Sequence, residues 1–218
     1  MLLVFDLDGT LIDSAEDLAA SASELATSLG GRSLDVAEVV GMVGEGAALL
    51  VRRALTAAGV APDAPDALAR FLAIYDRRLL DRTRPYDGIP DVLAELAPMA
   101  SMAVLTNKPL APSRRILEGL GLAGYFPHVI GGDGPFPRKP DPAGLRALAA
   151  LAAGQPVLLV GDSPVDAATA AAAPAAFALA SYGFGVARFT TPPDTPFVLT
   201  LPSDLPPIVD RLARASGL

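Results

Sequence analysis

The sequence predicts an α/β protein: a doubly wound, Rossmann-like parallel sheet into which an all-helical block is inserted. Three observations lead there. Short, unalternating apolar runs at 1–5, 102–106 and 156–161 each end in a polar cluster, as strands buried on both faces do. From residue 86 onward these runs are separated by helical periods, the rhythm of βαβ units. Residues 14 to 85, by contrast, carry helical periodicity and no convincing strand.

Taken in order, the opening strand closes on Asp6, Asp8 and a Gly9-Thr10 turn. Ser14 offers an N-cap and Asp17 a first-turn acid to a helix striped by Leu18, Ala22, Leu25 and Leu29 and stopped by Gly30-Gly31. Helical segments follow at 34–43 and 47–58, parted by Gly41, Gly44 and Gly46, and then at 66–82, with Leu68, Phe71, Leu72, Tyr75 and Leu79 on the apolar side. The Pro85-Tyr-Asp-Gly88 stretch reads as a linker. Beyond it come helix 90–97, strand 102–106, helix 112–120, a short strand at 129–130, helix 142–153 and strand 156–161. An Ala-rich helix at 164–173, a strand at 175–180, a weak edge strand at 197–201 and a helix at 205–214 complete the order. Residues 1–13 and 86–218 would form the core and 14–85 the inserted block, joined by hinge strands near 13–16 and 82–87. An insertion directly after the first strand lies over the carboxyl ends of the sheet, where a lid belongs.

Composition narrows the chemistry. Lys and Arg total 17 against 24 Asp and Glu, a net charge of −7, which argues against nucleic acid as a partner. A small anion held by a few local cations remains compatible with that balance. With no cysteine, thiol nucleophiles, disulfides and Cys-ligated zinc are excluded. The single histidine, His128, reads as a packed or surface residue, so acid–base work falls to carboxylates. The amino terminus has neither a basic start nor a cleavable apolar segment, and no apolar run approaches the ~18–20 residues of a membrane span. A cytoplasmic protein without a membrane partner, monomeric or homodimeric, is the expectation.

Four polar clusters end the predicted strands or follow them: Asp6 with Asp8, Thr106-Asn107-Lys108, Arg138-Lys139-Pro140 and Gly161-Asp162-Ser163 running on to Asp166. Each has an ordinary structural reading, as a helix cap, a solvated charge or a turn. Together, in this order, they suggest metal-assisted phosphoryl transfer. Asp6, Asp162 and a backbone carbonyl suit Mg²⁺, a hard cation that prefers oxygen. The Thr106 hydroxyl, the Asn107 amide and the Lys139 ammonium suit the remaining phosphate oxygens. Asp6 could then attack in line, and Asp8 could protonate the departing alcohol and later activate water.

The DLDGT strand end, the LTNK stretch, the RKPDP lysine and the GDSPVD loop resemble the four motifs of the haloacid dehalogenase superfamily. The resemblance covers essentially the whole chain and implies a superfamily core with an inserted helical cap. It implies Asp6 as nucleophile and Asp8 as acid/base, with Mg²⁺ held by Asp6, the main-chain carbonyl of Asp8, and Asp162. Asp166 would steady its loop from behind the ligands, together with Lys139. The segment 43–55, containing Gly44, Gly46 and Arg53, is similar to the cap segment of the phosphoglycolate phosphatases. A glycine-flanked helix start there can offer amides to a small carboxylate, supplemented by Arg52 or Arg53. Glu45, where that subfamily often has Asn, would oppose an anionic substrate.

The expected substrate is therefore a small phosphorylated metabolite, foremost 2-phosphoglycolate. Pyrophosphate, a sugar phosphate, a nucleotide, or a phosphotransfer of the β-phosphoglucomutase kind are alternatives on the same fold. A non-catalytic phosphate-binding module is the alternative of another class, and it should have lost one of Asp6, Asp8, Lys139 or Asp162.

Overall fold

Strand β1 (Leu2–Phe5) is buried along its whole length and has a parallel partner on each side. Its side chains divide by parity: Leu3 and Phe5 enter one apolar cluster, Leu2 and Val4 the other. That is why the run does not alternate; both faces of this strand are covered. The computed structural model describes residues 1–191 and 193–215.

Around β1 the parallel sheet adds β4 (Ser101–Leu105), β5 (His128–Ile130), β6 (Val157–Gly161), β7 (Ala176–Ala180) and β8 (Phe197–Leu199) in the order β5-β4-β1-β6-β7-β8. Leu2 lies opposite Ser101 on one side and Val157 on the other. One face is covered by α5 (Ile89–Leu96), α6 (Leu110–Gly119) and α9 (Leu205–Ala215), through Leu93, Ile116, Leu117 and Val209. The other is covered by α7 (Ala143–Leu151) and α8 (Pro164–Ala172), through Leu145, Leu148 and Ala170. This is the doubly wound arrangement the alternating pattern predicts.

Between β1 and α5 the chain leaves the sheet and returns. It leaves through β2 (Ile12–Asp13) and comes back through β3 (Arg84–Pro85), which pair antiparallel as Ile12 opposite Pro85 and Asp13 opposite Arg84. Between them lie α1 (Ala15–Ser28), α2 (Val36–Val40), α3 (Ala47–Ala57) and α4 (Ala67–Asp76). Leu18, Ala22 and Leu25 of α1, Leu50, Val51, Ala54 and Leu55 of α3, and Phe71, Ile74 and Tyr75 of α4 fill its interior. The Phe71 and Tyr75 rings, one helical turn apart, stack with centroids 5.9 Å apart.

Three local expectations need correction. The helix expected over 66–82 ends at Asp76, and the chain then turns toward Asp17. Asp17 is in the first turn of α1 as expected, and there it is buried and accepts from the amides of Arg82 and Thr83 and from the Thr83 hydroxyl at 2.7–3.1 Å. Those bonds need an extended 82–83 segment, which a continued helix would have consumed. Ser14 stands at the N-cap of α1 without a capping bond, and its hydroxyl donates instead to Asp8 at 2.5 Å. The helix expected over 34–43 is the short α2, closed by turns through 41–44.

Asp17→Ala would leave buried amides on the return linker unpaired. We expect a loss of about 2–4 kcal/mol in urea unfolding, since each orphaned donor costs about 1–3 kcal/mol. A midpoint unchanged from the parent would mean that this carboxylate does not hold the linker.

Candidate active site

The loop after β1 is tight. The amides of Thr10, Leu11 and Ile12 all reach the Leu7 carbonyl at 3.0–3.2 Å, so Asp6 and Asp8 sit at the mouth of a closed turn. Gly9 has φ +83°, and a Cβ there would lie 1.9 Å from an Asp162 carboxylate oxygen. Only glycine lets the β1 and β6 ends approach this closely. Thr106, Asn107 and Lys108 follow β4, Asp162 follows β6, and Lys139 comes from the loop before α7. Those four segments meet at the carboxyl edge of the sheet.

Lys139 is the centre of a buried charge row. Its Nζ lies 2.9 Å from Asp6 Oδ1 and 2.6 Å from Asp166 Oδ1. Asp166 is fully engaged, since its other oxygen accepts from the Ser163 amide and hydroxyl at 3.1 and 2.5 Å. Asp162 accepts from the Gly185 amide at 2.7 Å. Burial pushes the Asp6 carboxyl up to about 6, against the pull of Lys139 and with repulsion from Asp166. Burial, then repulsion from Asp166 and Asp6, drives Asp162 well above the usual carboxylate range. Lys139 is held above its ordinary value: burial acts against its charge, but Asp166 and Asp6 outweigh it.

Oxygens of Asp6, Asp162 and Asp166 all lie within 4.8 Å of one another. Three buried carboxylates face one ammonium there, so the cluster lacks positive charge, and its donors are all hard oxygens. These features fit a divalent cation. Asp166, with both oxygens occupied, stands behind Asp6 and Asp162 as a support for Lys139.

Asp8 has different company. Lys108 Nζ lies 3.0 and 3.1 Å from its two oxygens and donates to the Tyr75 hydroxyl at 2.6 Å. It also sits 4.4 Å from the Tyr75 ring centroid. Burial works against the Lys108 charge, but Asp8 and Tyr75 hold it above its ordinary value. Burial pushes the Tyr75 phenol up to about 12. The sequence places Lys108 in the second polar cluster without a role, and Tyr75 only on the apolar side of its helix. The signal for Lys108 was its position directly behind Thr106 and Asn107 at the end of a buried strand.

Thr106 lines the same cavity, and its oxygen accepts the Lys108 amide at 3.2 Å. The Asn107 side chain, expected to hold phosphate, is committed elsewhere. Its amide nitrogen donates to the Gly44 and Lys139 carbonyls, both at 2.9 Å, and its oxygen accepts from the Lys139 amide at 2.8 Å. With both protons used, Asn107 fixes the Lys139 backbone instead of presenting a donor to the cavity.

On the helical side, Gly44 and Gly46 line the cavity, with φ values of +112° and +94°, and Gly46 starts α3. Arg53 points to Glu45 at 2.8 Å, and Arg188 reaches the same oxygen at 2.8 Å. Glu45 is thus shared by two guanidiniums and does not face the cavity as a bare charge. The cavity offers about 50 Å³ to the centre of a water-sized sphere. Val43, Leu50, Phe71, Leu72 and Pro109 form its apolar wall, and Asp6, Asp8, Thr106, Lys108 and Tyr75 its polar side. His128 lies exposed on β5, away from this cluster. No helix among the described residues is long and apolar enough to cross a membrane.

A family model described as haloacid dehalogenase-like hydrolase matches residues 1–174. The chain is 44% identical to a phosphoglycolate phosphatase of Cereibacter sphaeroides over 186 residues, 84% of this chain and 85% of that protein. It is 46% identical to the phosphoglycolate phosphatase of Rhodospirillum rubrum over 193 residues, 84% of this chain and 80% of the other. A crystal structure of a predicted phosphoglycolate phosphatase from Haemophilus somnus 129PT matches with a TM-score of 0.86 at 28% identity, covering 95% of this chain and 96% of that one.

The raised Asp6 value sets a pH dependence. A proton on Asp6 stabilises the metal-free fold, and this benefit is lost as pH rises from the ordinary 3.8 through about 6. A divalent cation competes with that proton, so its affinity should climb across the same window. Thermal shifts with Mg²⁺ should be larger at about pH 7.5 than at about pH 5. A shift that did not grow with pH would remove Asp6 from the cation's ligands.

Proposed function

This chain belongs to the haloacid dehalogenase-like hydrolases and is a phosphoric monoester hydrolase, and on that premise we propose that it cleaves 2-phosphoglycolate through a phosphorylated Asp6. Residues 14–85 serve as the cap that covers the site, and residues 1–13 and 86–218 supply the chemistry. The observation that carries the substrate reading is the small cavity with a buried ammonium and phenol at its polar side, Lys108 donating to Tyr75 at 2.6 Å. A leaving group of two carbons and one carboxylate suits that volume and that charge. The relatives named phosphoglycolate phosphatase support the same choice.

Asp6 attacks phosphorus, its oxygen forming a bond as the bond to the leaving oxygen breaks. Lys139, 2.9 Å from Asp6, and the Thr106 hydroxyl hold phosphoryl oxygens, and Asn107 keeps Lys139 in place through its backbone. Asp8, in its protonated form once Lys108 has turned to the substrate carboxylate, gives its proton to the departing alkoxide. It then takes one from water, whose oxygen attacks phosphorus and frees the Asp6 carboxylate. A divalent cation such as Mg²⁺, held by Asp6, Asp162 and the Asp8 carbonyl, would offset the repulsion between this carboxylate cluster and a phosphate. The substrate carboxylate competes with Asp8 for Lys108, which frees the Asp8 oxygens to meet the leaving oxygen. Tyr75, neutral at physiological pH, donates a hydrogen bond from its hydroxyl to that carboxylate.

Asp6→Asn should abolish phosphate release from both 2-phosphoglycolate and p-nitrophenyl phosphate; turnover by this variant would refute the nucleophilic role. Asp8→Asn should harm 2-phosphoglycolate more than p-nitrophenyl phosphate, because nitrophenolate leaves without a proton. Equal losses would remove the general acid. Lys108→Met should raise KM for 2-phosphoglycolate by about 10–100-fold, the worth of one charged hydrogen bond. An equal rise for p-nitrophenyl phosphate, which has no carboxylate, would show that Lys108 does not read that group.

A further inference from the structure

The turn through Val43, Gly44 and Glu45, which walls the cavity, is held from the sheet side at two places. Asn107 donates to the Gly44 carbonyl at 2.9 Å. Arg188, in the short 3₁₀ helix (Phe184–Arg188) that follows β7, spreads its guanidinium over the two neighbours of Gly44. One nitrogen donates to the Val43 carbonyl and the other to a Glu45 carboxylate oxygen at 2.8 Å. We propose that Arg188 is a positioning residue of the phosphatase reaction, a clasp that keeps the 43–45 turn shut over the cavity and thereby sets how firmly a small ester is retained.

Three features support a built clasp over an incidental surface pair. A planar fork can serve a carbonyl and a carboxylate at once, which a lysine ammonium on a flexible stem does poorly. Room is kept for it: a Cβ on Gly44 would lie 2.3 Å from the Arg188 guanidinium nitrogen. The Arg188 side chain is only 17% exposed, so solvent weakens the contact less than it would a free surface pair. Arg188 also accounts for Glu45. With Arg53 and Arg188 on one carboxylate oxygen, the turn carries surplus positive charge beside a site for anions. The clasp is tied to the carboxylate cluster as well, because the Gly185 amide three residues earlier holds Asp162 at 2.7 Å.

This inference rests on the reading of the cavity as the place of the ester, so its test includes a measurement that needs no substrate. Arg188→Ala and Arg188→Lys would be compared with the parent, each with Mg²⁺ present, after urea midpoints establish that they fold. Amide hydrogen exchange at residues 43–47 should quicken about tenfold in Arg188→Ala and by less in Arg188→Lys. KM for 2-phosphoglycolate should rise about tenfold in Arg188→Ala with kcat within about twofold, and the ratio to the parent should shrink as salt is added. Glu45→Gln should add little to Arg188→Ala, because the two act through one contact. A folded variant whose 43–47 exchange and KM both match the parent overturns the proposal; if Arg188→Ala does not fold, Arg188→Lys decides on the same two measurements. Should 2-phosphoglycolate prove not to be a substrate, the exchange rates and KM for p-nitrophenyl phosphate still judge the clasp.

Discussion

Everything at the carboxyl edge of the sheet depends on one electrostatic constraint. Asp6, Asp162 and Asp166 are buried together, and among the described residues Lys139 is the cation paired with them. An isolated buried charge is prohibitively costly, and a buried pair is tolerable only when its remaining hydrogen bonds are filled. The surrounding chain is arranged to that end. Ser163 saturates Asp166, Leu7 and Gly185 give amides to Asp6 and Asp162, and Gly9 makes the approach of two strand ends sterically possible. The excess of negative charge that remains is what an incoming cation answers. The cluster is thereby suited to a metal, which would take the place of the protons that burial otherwise favours on Asp6 and Asp162.

The second buried lysine has a different task. Lys108 joins an acid of the sheet, Asp8, to a phenol of the helical block, Tyr75, across the space where a leaving group would sit. Ser14, at the start of α1, also touches Asp8. The proposed acid/base position, Asp8, is consequently assembled from both parts of the molecule. A change in how the helices sit would be felt first at Asp8, whereas Asp6 is held by the sheet and its loops alone.

Legibility in the sequence followed the range of the interaction. β1, β4 and β6 were readable because burial on both faces leaves an unbroken apolar run, and the residues that end them are adjacent in sequence to that signal. The place of Asp17 in the first turn of its helix is legible, but its partners, Arg82 and Thr83, are not, because they lie 65 and 66 residues away. Asn107 has donor chemistry that suits phosphate equally well, and only the positions of the Gly44 and Lys139 carbonyls decide where it points. Glu45 read as an obstacle to anions for the same reason: Arg188, its neutralising partner from the sheet side, is 143 residues distant. Pattern within a segment reports burial and element type. Pairing of charges across segments is written only in three dimensions.

The central place of β1 has a consequence for how the chain is made. β1 precedes both of its neighbours along the chain, and Leu2 must wait for Ser101 and then Val157 to be synthesised before either ladder can close. Until then an apolar segment with two unsatisfied edges is exposed, a species prone to self-association. Non-local pairings of that span form slowly. The helices between β2 and β3 can pack before that moment, since their contacts are local. Nascent molecules would thus acquire their lid before they possess the hearth it covers.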